Sequence, residues 1–363
     1  ILDGPTPRLI DEWQIATKIW DGVRYEVDHR HADGQFILTG SAVPPAKDKE
    51  EMKHTGTGRI AWLTMRPMSL WESHDSTGDV SLKDLFSASP SSIIRGSNKL
   101  SLADIAFISC RGGWPRSLNK SNPASSLRQA INYYEAIVRR DISRVDDTDR
   151  DEERTRRIMR SLARHQGSQA SVATILEDIK ENDSSSISDK TVYSYINALK
   201  RIFVIEDMPA WNPNLRSKAA IRTLDTRYYV DPSIACAALG LGPEDLINDL
   251  NTFGFIFETL CVRDLRVYAQ PLGGRVYHFR DKSGLECDTV VHLRNGSYGL
   301  IEIKLGGDKL IEEGAANLLL LKDRIDTTKM KNPSFLAIIT AVGDVAYTRP
   351  DGVMVIPIGA LKN

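Results

Sequence analysis

The sequence predicts an α/β chain built from three domains, and three observations lead there. Short apolar runs alternate with helical stretches at both ends, the pattern of strands and helices layered in one sheet. The middle holds two helical segments followed by a strand, a turn and a second strand. Finally, 363 residues exceed what one core ordinarily holds, at roughly 150 residues per domain. The expected division is 1–125, 126–230 and 231–363.

Composition narrows the function. Hydrophobic residues at 41% and charged residues at 26% exclude a disordered chain. No run approaches the roughly 18 apolar residues of a membrane span, and the start has no basic, then apolar, leader. A net charge of −1 excludes a polycation but leaves room for a local basic patch. Cys110, Cys236, Cys261 and Cys287 form no C-x-x-C pair, so a zinc ribbon or a disulfide framework is not expected. Reduced core thiols in a cytoplasmic protein are.

In order along the chain, Leu9-Ile10 opens a strand, a helical stretch follows, and Phe36-Ile37-Leu38 and Ile60-Ala61-Trp62-Leu63 are the next apolar runs. Ser and Pro over 87–97 make a loop. Residues 127–164 are expected to be helical. Within 139–160, 8 Arg and 7 Asp or Glu mix their signs, which favours a solvated face or helical hairpin laced with ion pairs over a nucleic-acid patch. Val172–Lys180 is a short helix; a second starts near Asp189, with Ser188 or Asp189 as N-cap. Its face is Val192, Tyr195, Ile196, Leu199 and Ile202. Strands at Phe203-Val204-Ile205 and Tyr228-Tyr229-Val230 then complete a winged-helix pattern. The last block reads helix 253–266, strands 276–279, 287–293 and 299–304, helix 309–326, and strands Phe335–Thr340 and 353–356.

Two constellations carry chemistry. In the first, Asp11 and Glu12 follow the strand Arg8-Leu9-Ile10. A carboxylate at a strand's C-terminal end holds Mg²⁺ in nucleotide hydrolysis, and a second one polarises water. A second strand expected to be buried, Phe36-Ile37-Leu38, ends in Thr39 and Ser41, where hydroxyls would read a γ-phosphate.

Here the chain resembles a family of prokaryotic AAA-type ATPases that carry a C-terminal domain of unknown function 4143. The segment Leu9-Ile10-Asp11-Glu12-Trp13-Gln14 resembles its Walker B motif, and Ile37-Leu38-Thr39-Gly40-Ser41 its sensor strand. Gly58-Arg59-Ile60 with Leu63, Pro67, Ser69 and Glu72 is similar to its Gly-Arg segment, and Arg111-Gly112-Gly113-Trp114-Pro115 to its Gly-Gly-aromatic-Pro turn. Tyr133 with Arg140-Asp141-Ile142, and Tyr229-Val230-Asp231, match its junction motifs. The resemblance implies a P-loop NTPase core using ATP and Mg²⁺, and a homo-oligomer. Arg59 would then sense phosphate or reach a neighbouring subunit as a finger; otherwise it is a surface arginine completing a turn. One departure matters. No Gly-Lys dipeptide, and so no phosphate-cradling loop, occurs in the chain, and only ten residues precede Asp11. The expectation is a piece of a longer protein that by itself binds ATP poorly.

The second constellation is Glu286-Cys287-Asp288 followed by Leu300-Ile301-Glu302-Ile303-Lys304. Alternation puts Glu302 and Lys304 on one strand face, and a hairpin around Arg294-Asn295-Gly296-Ser297 brings Asp288 beside them. Asp, thirteen residues, Glu, one residue, Lys fits the PD-(D/E)xK nuclease pattern. Two carboxylates would bind Mg²⁺ or Mn²⁺, and the lysine would steady the developing charge. Glu258, on the preceding helix, is a further candidate ligand. The bland alternative is a hairpin with an ordinary Glu–Lys ion pair.

On helix 189–201, Lys190, Lys200 and Arg201, with Arg216, Lys218, Arg222 and Arg227 near the wing, suit phosphate contacts; the helix otherwise serves as a spacer. His29 and His31 lack a third partner, and Tyr133, Tyr134 and Trp62 are expected in the core. The expected function is an ATP-hydrolysing protein acting through a nuclease-like domain on nucleic acid. The alternative is an ATP-gated adaptor that binds DNA or a protein partner without cutting.

Overall fold

The protein is described by a computed structural model covering residues 2–43, 55–87, 94–119, 122–146, 148–180, 187–213 and 224–363. Lys218, Arg222 and Arg216 lie outside these described residues. No described helix is long and apolar enough to cross a membrane.

At the N-terminal end β1 (Arg8–Ile10) and β2 (Phe36–Leu38) pair in parallel, with helix Lys18–Arg30 between them. The expected strand at 60–63 is not formed. Those residues run extended without a ladder, and Trp62 is 76% exposed rather than in the core, touching only Trp20 at 5.6 Å among rings. An apolar run makes a strand only where a neighbouring strand accepts its backbone, and none of the described strands does.

Two short strands follow, β3 (Val80–Ser81) and β4 (Gly96–Ser97). The long helical stretch is interrupted. Pro123–Ala136 continues through a π-helical segment to Arg144, and Glu152–Arg164 restarts after a turn. Asp151 caps the restart by accepting the Arg154 amide, while Arg150 turns inward onto the Ile142 carbonyl and Asp146. The mixed charges behave as ion pairs: Arg156–Glu135 at 2.7 Å and Arg139–Glu135 at 3.0 Å.

Helices Val172–Lys180 and Asp189–Arg201 form as expected, the second capped by the Ser188 hydroxyl. An antiparallel pair, β5 (Ile205–Met208) and β6 (Thr226–Tyr229), follows. Phe203 lies outside the strand because the helix ends in a left-handed turn there (φ 56°).

The C-terminal part is a mixed seven-stranded sheet in the order β4-β11-β12-β10-β9-β8-β7. Its strands are β7 (Gly274–Arg280), β8 (Glu286–Leu293), β9 (Tyr298–Lys304), β10 (Phe335–Thr340), β11 (Val345–Thr348) and β12 (Met354–Pro357). β9, β10 and β12 run parallel, whereas β7–β8–β9 is an antiparallel meander. Helix Leu250–Ala269 covers one face, packing Phe257 and Leu260 with Val291, Ile301 and Ile303. Helix Asp308–Arg324 covers the other, packing Leu318 and Ala315 with Leu300 and Ile338. All four cysteines are free and buried.

The N-terminal third shares this layer. β4 pairs with β11, and β13 (Leu361–Lys362) pairs in parallel with β3. A buried charge cluster ties the parts together: Arg263 bonds Asp231 at 3.0 Å and Asp264 at 2.8 Å. Asp231 also accepts the Gly113 amide, and Asp264 the Leu70 amide, both at 2.9 Å. The Gly112-Gly113 turn and the Tyr229-Val230-Asp231 segment, far apart in sequence, thus meet on one arginine. Gly113 has to be glycine, because a Cβ there would stand 2.1 Å from the Met68 carbonyl oxygen.

Candidate active site

At the N-terminal pair, the parallel register sets Ile10 beside Leu38, so the residues after each strand emerge together. The Thr39 hydroxyl donates to Asp11, and the Ser41 hydroxyl donates to Glu12 at 2.9 Å. Gln14 also donates to Glu12. Asp11, Glu12, Thr39 and Ser41 therefore form one exposed polar edge at the C-terminal ends of two parallel strands, where open α/β sheets bind ligands. Arg59 is not part of it. Its guanidinium is held on Asp28 at 2.6 Å, on the face of helix Lys18–Arg30.

The second site is assembled from β8, β9 and the helix Leu250–Ala269. The antiparallel register sets Thr289 opposite Ile301, and β8 then departs from the ladder at Asp288, freeing its carboxylate to accept the Ile303 amide at 2.8 Å. On β9 alternation holds. Ile301 and Ile303 go into the core, while Glu302 lies under helix Asp308–Arg324, where a Cβ on Gly314 would be 3.5 Å from its own Cβ. Lys304 joins the carboxylates, 2.6 Å from Glu302 and 3.3 Å from Asp288. Glu258 comes from the helix on the opposite sheet face, near enough for the charges of Asp288 and Lys304 to act on it. Its carboxylate accepts the Tyr228 hydroxyl at 2.5 Å and lies against Gly167, whose missing Cβ leaves it room.

Tyr228 is a residue that sequence reasoning assigned to a strand only. Its role comes from β6 meeting the helix across 30 positions of chain, and no local signal marks it.

Two carboxylates paired with one lysine, with Glu258 within reach of their charge, is an unbalanced arrangement. Burial, and then the charge of Asp288, push both Glu258 and Glu302 up to about 8. Burial works against the charge of Lys304, but Asp288 and Glu302 outweigh it and hold the ammonium above the ordinary lysine range. Glu302 is 1% exposed, and its Oε1 has no hydrogen-bond partner. A buried carboxylate oxygen without a donor costs of the order of 1–3 kcal/mol or more, which a cation would relieve. Hard oxygen donors suit Mg²⁺ or Mn²⁺, so Asp288, Glu302 and Glu258 fit such an ion in donor chemistry. Among the described residues, however, no three His, Cys, Asp or Glu side chains already stand grouped to hold one. Lys304 stands between Asp288 and Glu302.

Residues 253–361, which hold six of the sheet's seven strands (all but β4) and most of both covering helices, match a domain of unknown function, number 4143. The C-terminal region is that domain. A second match, to domain of unknown function 8612, spans residues 102–245 and so begins at helix Leu102–Arg111 and includes the Gly112-Gly113 turn with Asp231. No curated protein matches the chain. Domain 4143 contains Glu258, Asp288, Glu302 and Lys304 together.

Proposed function

We propose that this chain belongs to an ATP-hydrolysing protein of the AAA type, in which domain 4143 is a PD-(D/E)xK nuclease-like unit acting on nucleic acid. The observation that carries the reading is Glu302: a buried carboxylate with an orphaned oxygen, beside Lys304 and the charge of Asp288. Such an arrangement is costly as a mere structural ion pair and useful as a metal site.

In this reading Asp288 and Glu302 bind the ion, with Glu258 as a further ligand. Bound Mg²⁺ or Mn²⁺ supplies charge neutralisation at the phosphodiester and activation of water. Lys304, freed from the carboxylates, donates to the phosphoryl oxygens or the attacking water. Tyr228 holds Glu258 in place from the winged-helix unit formed by helices Val172–Lys180 and Asp189–Arg201 with β5 and β6. Asp11 serves as the Mg²⁺-holding carboxylate of nucleotide hydrolysis, Glu12 polarises water, and Thr39 and Ser41 read the γ-phosphate. The test of that half is Glu12→Gln in the intact protein, expected to abolish turnover and spare nucleotide binding; unchanged hydrolysis overturns it.

A second reading, an ATP-gated adaptor that binds without cutting, is favoured by how the cations are used. Lys304 is engaged by both neighbouring carboxylates. On the winged-helix unit Lys200 and Arg227 are held by Asp207, and Arg201 lies 3.9 Å from Asp146. Incubating DNA with Mg²⁺ or Mn²⁺ separates the two. Cleavage by wild type that is lost in Asp288→Ala supports the nuclease, and binding without cleavage supports the adaptor.

A further inference from the structure

A cleft of about 240 Å³ opens between β5, the extended segment around Trp62 and the end of helix Leu250–Ala269. It is separate from the carboxylate cluster, and its charge is opposite. Arg66, Arg266 and Arg275 line it around Glu206. Arg66 grips Glu206 with two bonds, at 2.6 and 3.2 Å, and donates a third to Gln270 at 2.7 Å. Those three bonds use three of its five N–H donors. Arg266 lies 3.6 Å from the same carboxylate and bonds the Glu206 carbonyl. No carboxylate lies within ion-pairing distance of Arg275 among the described residues. Asp207, also on the lining, is already shared by Lys200 and Arg227. On the lining itself three guanidinium groups face two carboxylates, an excess of 3 − 2 = 1 positive charge, and one of those carboxylates is already engaged.

Positive charge in excess around the buried Arg266 favours an anion sharing the cleft. Burial lowers Arg266 below the usual arginine range; Glu206 opposes this and Arg66 adds to it. Guanidinium groups match phosphoryl oxygens in geometry as well as charge. At the rim, Trp62 offers an exposed indole of the kind on which bases stack.

We propose that this cleft binds a phosphate-bearing ligand, whose phosphoryl oxygens take Arg275 and the remaining N–H donors of Arg66 and Arg266. The ligand is either a nucleic-acid strand, with a base on Trp62, or a free phosphate compound.

The experiment titrates the full chain with pyrophosphate and, separately, with a fluorescein-labelled oligothymidine at low salt. Wild type is expected to bind pyrophosphate. Arg275→Gln, at an exposed position whose guanidinium meets only the Tyr277 ring at 5.8 Å among the described residues, is expected to weaken it by at least about tenfold. Glu206→Gln removes a competing carboxylate and is expected to tighten binding, a change no folding defect produces. If Glu206→Gln does not fold, Arg275→Gln decides alone. Oligothymidine binding that falls in Trp62→Ala, with pyrophosphate binding unchanged, identifies a nucleic-acid strand. Pyrophosphate binding without oligothymidine binding identifies a free phosphate compound. No binding of pyrophosphate by wild type, or equal affinity in Arg275→Gln, overturns the proposal.

Discussion

Replacing Glu302 by Gln removes one titrating proton from the domain 4143 cluster and keeps the side chain's shape. Glu258 and Glu302 are both pushed up to about 8, from an ordinary value of 4.5, by burial and then by Asp288. The folded protein therefore holds protons that the unfolded chain has released across the window from 4.5 to about 8. Their contribution to stability is complete below 4.5 and is lost as pH rises through about 8. Each retained proton makes stability fall by about 1.4 kcal/mol per pH unit within the window. Two protons, coupled through the charge of Asp288, give wild type a mid-window slope of up to about 2.7 kcal/mol per unit, and Glu302→Gln is expected to halve it. Urea unfolding at successive pH values, with and without Mn²⁺, measures both slopes. Mn²⁺ is expected to stabilise wild type increasingly as the carboxyls ionise, and Glu302→Gln much less. Equal slopes in the two proteins would refute the placement of a proton on Glu302.

Tyr228→Phe removes the donor that favours ionised Glu258, so the pH midpoint of Mn²⁺ binding is expected to move upward. A midpoint that stays or falls would show that the contact does not position Glu258. Arg263→Ala leaves Asp231 and Asp264 buried without their cation and is expected to cost about 3–5 kcal/mol in urea unfolding. A loss under about 1 kcal/mol would mean that water replaces the guanidinium.

The C-terminal sheet was largely legible in the sequence. Strand β10 falls on the apolar run Phe335–Thr340, and β9 alternates as its residues require. The Glu302–Lys304 pair follows from the two-residue period alone, and the hairpin brings Asp288 to it. The two helices of the winged unit were equally clear, because N-caps and apolar periodicity are local signals. The apolar run at 60–63 misled for a matching reason. Propensity reports what a segment would form, whereas a strand needs a partner, and Trp62 is left exposed. Likewise Arg59 is drawn to Asp28 by the fold of helix Lys18–Arg30, which no motif records.

The sequence by itself determined which residue types stand at which strand ends: Asp11 and Glu12 after β1, Thr39 and Ser41 after β2, and Asp288, Glu302 and Lys304 along β8 and β9. These follow from periods of two and 3.6 residues and from turn chemistry, all set within a few positions of chain. Only the tertiary structure decided that Tyr228 holds Glu258, that Gly113, Asp231, Arg263 and Asp264 share one buried network, and that Arg66, itself bonded to Gln270, converges with Arg266 on Glu206. Those contacts join residues up to 204 positions apart, as Arg66 and Gln270 are. Burial, which sets both their cost and the ionisation of Glu258 and Glu302, exists only once the layers have packed.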